Sequence, residues 1–143
     1  MNPAKMELVS SWLAKAIDDL ESARVLGTCD PPHYETGVYL CQQAAEKALK
    51  GFLTYRDFPF EKTHDVAKLL EVAAKIEPPF ETWRDAAENL TPYATAFRYP
   101  SHREPPKLEA FEEAWVDAET IYRQVLAYLP DVIHPVRDPR SDS

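Results

Sequence analysis

Cys41-Gln42-Gln43-Ala44-Ala45-Glu46-Lys47-Ala48-Leu49-Lys50-Gly51-Phe52-Leu53 is the stretch on which the reading of this chain turns. Val38, Cys41, Ala45, Ala48 and Phe52 recur at steps of three and four, which is one face of an α-helix. Ala44, Leu49 and Leu53 widen that face. Gln43, Glu46, Lys47 and Lys50 fall together on the other side, and a polar helix face is ordinarily a solvated one. Glu46 precedes Lys50 by four residues, the favourable order for a surface ion pair contributing a few tenths of a kcal/mol. A wide, alanine-rich face lets other helices come close, so this segment reads as the central element of a helical bundle.

The neighbouring segments carry the same period. Asn2-Pro3 suits the start of a helix, with Asn as cap and Pro at the first helical position. Met6, Val9, Leu13, Ala16, Leu20 and Ala23 continue it, and Gly27 is expected to stop it as a left-handed cap. Asp30-Pro31-Pro32 marks a loop. The central helix is expected from about His33 to Arg56, ended by Phe58-Pro59-Phe60. Gly37 near its start costs roughly 1 kcal/mol against alanine, which suggests close approach of another helix. Thr63 is the expected cap of a third helix carrying Val66, Leu69, Leu70, Ala73 and Ile76. Phe80, Trp83, Ala87, Leu90, Ala94 and Phe97 form a fourth pattern, which Pro92 should kink or divide around Leu90 and Thr91. Leu108, Phe111, Trp115, Ala118, Tyr122, Val125 and Leu129 form a fifth.

Five amphipathic patterns and no alternating strand predict an all-α domain, an antiparallel bundle of about five helices over residues 1–130. Residues 131–143 lack a packing face and are expected to be a disordered tail.

Composition bounds the function. The 143 residues are 45% hydrophobic and 28% charged, which is ordinary for one globular domain. The net charge of −8 disfavours a general polyanion-binding surface and leaves room for a local basic patch. The two cysteines make no disulfide framework and no zinc spacing, and the four histidines show no ligand pattern, so no metal and no cofactor are expected. The start of the chain has no apolar signal-peptide core, and no run reaches the length of a membrane span. A cytoplasmic protein is the expectation.

Three clusters carry chemistry. Thr63-His64-Asp65 joins an imidazole and a carboxylate at a helix start, where backbone amides can meet a phosphate; helix capping by Thr63 with an exposed His64 is the simpler explanation. Arg98-Tyr99-Pro100-Ser101-His102-Arg103 places an arginine and a histidine close together. RNA cleavage by 2′-hydroxyl attack needs such a pair, histidine to move a proton and arginine to stabilise the phosphorane-like charge. Tyr99 there can stack on a base. A solvated loop with Tyr99 packed on the bundle is the alternative. The third cluster is the polar face itself, with Gln42, Gln43, Glu46, Lys47 and Lys50. The expected site is one groove where His64, Arg98 and His102 converge, bordered by Lys47 or Lys50.

Taken in order, Gln42-Gln43-Ala44-Ala45-Glu46-Lys47-Ala48-Leu49-Lys50, Thr63-His64-Asp65 and Arg98-Tyr99-Pro100 resemble the HEPN domain family. Trp12, Ala16 and Asp19-Leu20 fit its first helix, and the resemblance runs from about Met6 to Leu129. It implies a bundle of about five helices, commonly a homodimer. It also implies a toxin–antitoxin pair in which the partner is a minimal nucleotidyltransferase, with a nucleotide or RNA as ligand. Ribonuclease members carry an arginine and, after four to six residues, a histidine. Here three residues separate Arg98 from His102, which points to the Arg-Tyr-Pro branch. Three functions follow: a binding module with His64, Lys47, Lys50 and Tyr99 as ligand-binding residues, a metal-independent endoribonuclease using Arg98 and His102, or a purely structural dimeric partner.

Overall fold

A computed structural model describes residues 2–140. Five α-helices build them: α1 (Pro3–Thr28), α2 (Tyr34–Tyr55), α3 (Val66–Ile76), α4 (Arg84–Leu90) and α5 (Leu108–Ala127). Short 3-10 turns cover Pro78–Trp83, Thr91–Ala94 and Asp131–Ile133. There is no strand among the described residues, and the fold is all-α.

The helix ends have local causes. Asn2 caps α1, its side-chain oxygen accepting from the Ala4 and Lys5 amides at 2.9 and 3.4 Å. Gly27 does not stop α1. It lies inside the helix with a negative φ, and the end comes at Cys29, whose extended backbone returns its N–H to Val25. The glycine is there for space, because a Cβ at Gly27 would lie 2.1 Å from Phe111 Cζ. Gly37 faces the other edge of the same ring, with Cε2 3.0 Å from where its Cβ would be. Helix α5 therefore approaches α1 and α2 through two glycines, the close approach anticipated at Gly37.

Helix α2 stops before Phe58-Pro59-Phe60. Asp57 takes a left-handed φ of 55°. The Phe58 amide returns to Leu53 O at 2.9 Å and the Asp57 amide to Thr54 O at 3.1 Å. These two bonds close a Schellman motif with an aspartate in the glycine position. The fourth pattern is divided where Pro92 predicts: α4 ends at Leu90 and a 3-10 turn takes over at Thr91.

The antiparallel arrangement holds for α1 with α2, where Lys5 meets Asp57 at 2.9 Å and Trp12 packs at Gly51. Helix α4 packs against α5, where Asn89 reaches Glu113. Helix α3 departs from the antiparallel arrangement. His64, just before α3, meets Gln42 and Glu46, while Glu77, just after α3, meets Arg56 at 2.7 Å. Both pairs rise together, so α3 runs parallel to α2. The connecting residues 56–65 can span about 33 Å, enough to lead the chain back along several turns of α2. The start of α3 thus lies against the middle of α2, not beside its end.

The core is continuous. Val9, Leu13, Ile17 and Leu20 of α1 meet Ala45, Leu49, Phe52 and Leu53 of α2 with almost no exposure. Phe52, Phe80 and Tyr128 form an aromatic triangle with centroids 4.9 to 6.0 Å apart. Cys41 is a buried free thiol, and burial pushes it well above the ordinary thiol range.

Residues 131–140 do not form the disordered tail expected of them. Arg137 binds Asp18 and Glu21, both at 2.6 Å, and Arg123 binds Asp138 at 2.8 Å. Arg140 binds Glu119, a carboxylate only 1% exposed, at 2.7 Å. Arginine–carboxylate pairs hold this segment across α1 and α5, and a search for apolar periodicity does not detect such an anchor. The rest of that expectation, residues 141–143, lies outside the described residues.

Candidate functional site

The site is built on α2. Tyr39, Gln43, Glu46 and Lys50 follow one another at three- and four-residue steps and share a stripe of that helix. This stripe is not a solvated face. Gln42 is fully buried, Glu46 is 4% exposed and Lys50 is 8% exposed.

Glu46 is the hub. Its Oε2 accepts from Lys50 Nζ at 3.0 Å. Its Oε1 lies 2.9 Å from His64 Nδ1 and accepts from Gln42 Nε2 at 3.2 Å. Gln42 Nε2 also donates to the His64 carbonyl at 2.7 Å, and Gln43 Nε2 donates to Gln42 Oε1 at 2.7 Å. The Lys50 ammonium lies 5.9 Å from the centre of the Trp12 ring on α1. The Glu46–Lys50 pair is therefore a buried, multiply bonded group and not the surface pair the spacing suggested. Breaking such a pair from one side costs about 3–5 kcal/mol, against a few tenths at the surface.

The two lysines proposed as ligand contacts are both committed to carboxylates. Lys50 is held by Glu46, and Lys47 Nζ donates to Asp19 Oδ2 at 2.6 Å. Burial raises the Asp19 carboxyl above its usual range, against the pull of Lys47.

The start of α3 also differs from expectation. Asp65, not Thr63, caps the helix, accepting from the Lys68 amide at 3.1 Å. Thr63 Oγ1 accepts from the Asp65 amide, and Thr91 Oγ1 accepts from the Ala67 amide at 3.0 Å. These first-turn amides are occupied and a carboxylate sits among them, so they do not form an anion nest.

Thr91 joins the end of α4 to the start of α3, and the chain then reaches Arg98 beside α2. The Arg98 guanidinium stacks over the Tyr39 ring, 4.9 Å from its centre. Tyr39 lies seven residues before Glu46, about 10 Å along the helix. Arg98 is exposed and meets no carboxylate among the described residues; Tyr99 is 75% exposed beside it. His102 is exposed in the loop and forms no hydrogen bond or ion pair among the described residues. The structure thus brings His64 and Arg98 to one face of α2, commits Lys47 and Lys50 to carboxylates, and leaves His102 unanchored.

Tyr39 was missed in the sequence, and the contacts of Gln42, Asp19 and Trp12 with the site were not foreseen. Tyr39 lies in no motif, and the motifs that hold Gln42, Asp19 and Trp12 do not say what those side chains touch. Gln42 and Glu46 at i and i+4 look the same whether they face water or a loop folded back over them.

Surface cavities lie on other faces and at the start of α3. One of about 520 Å3 is lined by Gly27, Phe111 and Trp115, and another of about 300 Å3 by Asp65, Lys68, Glu71 and Arg84. Among the described residues no three His, Cys, Asp or Glu side chains are grouped to hold a metal ion. No helix there is long and apolar enough to cross a membrane.

The fold is a five-helix, all-α domain. The HEPN domain model matches residues 9–128, and this chain belongs to the HEPN family. The crystal structure described as ST0689, an archaeal HEPN homologue, superposes with a TM-score of 0.67 at 28% identity. That match covers 83% of this chain and 95% of the other. A protein of Methanocaldococcus jannaschii named "Putative toxin MJ1304" is 31% identical over 107 residues. The match takes in 73% of this chain and spans 58% of that relative's length.

Proposed function

We propose that this chain is the toxin-type member of a toxin–antitoxin pair, acting as a homodimeric binding module with a minimal nucleotidyltransferase as partner. Its ligand is a nucleotide or RNA, received on the α2 face at Tyr39 and Arg98. One observation carries this reading: Arg98 is an exposed guanidinium that meets no carboxylate among the described residues and lies over the Tyr39 ring, 4.9 Å from its centre. An arginine so oriented offers its donor edge to a phosphate in two-pronged fashion, and Tyr99 beside it offers a face to a base. The name of the Methanocaldococcus relative supports the toxin side of the pair.

The experiment is a titration of labelled single-stranded RNA, and separately of ATP, against wild type and Arg98→Ala. Wild type should bind, and binding should weaken with salt by a slope set by the few phosphates contacted. Arg98→Ala should bind at least tenfold more weakly. Equal affinity of the two proteins, or no binding by either, would leave the purely structural dimeric partner as the better reading. Light scattering at micromolar concentration tests the dimer.

The endoribonuclease reading with Arg98 and His102 has less support. His102 has no partner among the described residues to orient its ring, and Pro100 stiffens the short interval between the two.

A further inference from the structure

Helices α1 and α5 meet along one seam. Phe111 stands against Gly27 and Trp115 Nε1 donates to Leu20 O at 2.9 Å, so the two helices run antiparallel. The segment after α5 doubles back along this seam, since Asp138 meets Arg123 and Arg140 meets Glu119. It covers the half nearer the end of α5. Beyond Arg140 the seam stays open as the cavity of about 520 Å3, floored by Phe111 and Trp115 and edged by Leu108 and Val116. Leu108 and Val116 are 44% and 50% exposed.

The covering segment shows what the seam binds. Arg137 reaches Asp18 and Glu21, Arg140 reaches Glu119, and Pro139 between the two arginines is buried. Arg24 donates to the Pro139 carbonyl at 3.4 Å and lies over the Trp115 ring. An apolar residue bracketed by arginines is thus the pattern that fits, with the carboxylates supplied by α1 and α5. The fit is incomplete. Tyr122 is 1% exposed, yet its hydroxyl has no hydrogen-bond partner among the described residues. The charges acting on it are those of Arg123, Arg137, Asp138 and Glu21, at the covered half. A buried hydroxyl left unpaired is a standing cost that a better occupant removes. The segment's hold is largely ionic, since Val132 and Val136 both face solvent. Ser141-Asp142-Ser143, next in sequence, contain no apolar side chain to match the open half.

We propose that the α1–α5 seam is a docking channel for an irregular segment of a partner protein. That segment carries an apolar residue between two arginines, in the pattern of residues 137–140, and continues into apolar side chains. Residues 131–140 are the channel's built-in occupant, an autoinhibitory strap that such a segment displaces. Two features select this partner. The wall carboxylates Asp18, Glu21 and Glu119 and the net charge of −8 draw a cationic segment. The open apolar half favours side chains that the strap lacks. The strap competes as a tethered ligand at high effective concentration, so a free segment gains access when the strap's ion pairs are loosened. The inference does not rest on the α2 face.

The test is fluorescence anisotropy with synthetic peptides. One has the sequence of residues 131–140, a second has leucines added after its last arginine, and a third is the leucine peptide with both arginines replaced by alanine. The receptors are the full chain as wild type, as Arg137→Ala, and as Arg137→Ala with Val116→Asp. Arg137 and Val116 are each about half exposed, so both variants should fold, which melting curves check. The leucine peptide should bind Arg137→Ala at least about tenfold more tightly than it binds wild type, and at least about tenfold more tightly than the shorter peptide does. Replacing its arginines should weaken binding by a similar factor, and Val116→Asp should abolish the gain from the leucines. Binding should weaken with salt. A second measurement needs no variant: in wild type, saturating leucine peptide should speed amide exchange in residues 131–140 while α2 stays protected. Equal affinity with and without the arginines, a leucine gain that survives Val116→Asp, or unchanged exchange in the strap under bound peptide would overturn the proposal. No binding to any receptor would do the same. If Arg137→Ala instead self-associates in light scattering and excludes the peptides, the occupant is a second copy of this chain and the proposal of a foreign segment is overturned.

Discussion

The Phe111 ring occupies the space that a side chain at Gly27 would take, with Cζ 2.1 Å from where the Cβ would lie. The ring is pinned on its other side by Gly37 and contacts Tyr34, 5.7 Å between centroids. Gly27→Ala gains roughly 1 kcal/mol of helix propensity but forces an overpacked contact costing about 1–3 kcal/mol. Thermal melting should therefore show a lower Tm for Gly27→Ala. Gly37→Ala, with its tightest contact at 3.0 Å, should lose less. A higher Tm for Gly27→Ala would mean that α5 can move off α1 at no cost.

Glu119 is almost fully buried and is held by Arg123 from its own helix and by Arg140 from the segment beyond α5. Arg140→Ala leaves that carboxylate one partner short, at a cost of about 1–3 kcal/mol. Truncation after Leu129 removes the Arg137 pairs with Asp18 and Glu21 as well. Both variants should melt below wild type, the truncation further. In a double-mutant cycle, Glu119→Gln with Arg140→Ala should lose less than the sum of the single changes. Strict additivity would show that the two side chains are not coupled.

Asp117 on α5 gives a pH signature. Burial pushes its carboxyl up to about 6, with Glu113 adding to the rise and Asn89 opposing it. The folded protein therefore holds this proton more tightly than the unfolded chain does. Any stability due to Asp117 is complete below pH 4 and is lost as pH rises through about 6. Ionised Asp117 then destabilises the neutral-pH protein, by on the order of 1 kcal/mol once solvent screening is allowed for. Asp117→Asn should raise Tm at pH 8 and have little effect at pH 4. Melting curves at the two pH values check this, and an equal effect at both would refute the assignment.

Glu46→Ala leaves Lys50 buried without its carboxylate and should destabilise by about 3–5 kcal/mol. Replacing both, as Glu46→Ala with Lys50→Met, should recover a good part of the loss. Denaturant titration measures both variants. A loss below 1 kcal/mol for Glu46→Ala would place Lys50 in water.

The helices were legible because their apolar residues repeat with the helical period, and each expected stripe lies in the core: Val9, Leu13 and Leu20; Val38, Cys41 and Phe52; Leu69, Leu70 and Ala73. Pro92 was legible because a missing amide has a local effect. Direction was not. Residues 56–65 could have made a tight turn or a long return, and only tertiary packing selects the return that puts His64 on Glu46. The burial of Glu46 and Lys50 depends on that return, so their neighbours in sequence could not reveal it. Gly27 misled for a similar reason: glycine permits both a left-handed cap and a close contact, and the Phe111 ring that decides between them lies 84 positions away. The tail misled because its anchors are charges, which have no period.

Trp12 has its ring under the Lys50 ammonium, at 5.9 Å, on the side of α1 that meets Gly51. Indole emission responds to the field of a nearby charge, and the other two tryptophans stand on different elements: Trp115 donates to Leu20 O on the α5 side, and Trp83 precedes α4. A protein in which Trp83 and Trp115 are replaced by phenylalanine would therefore carry a built-in optical probe of the Glu46–Lys50–His64 group. Its spectrum would register rearrangement there when RNA or a nucleotide arrives, without any attached label.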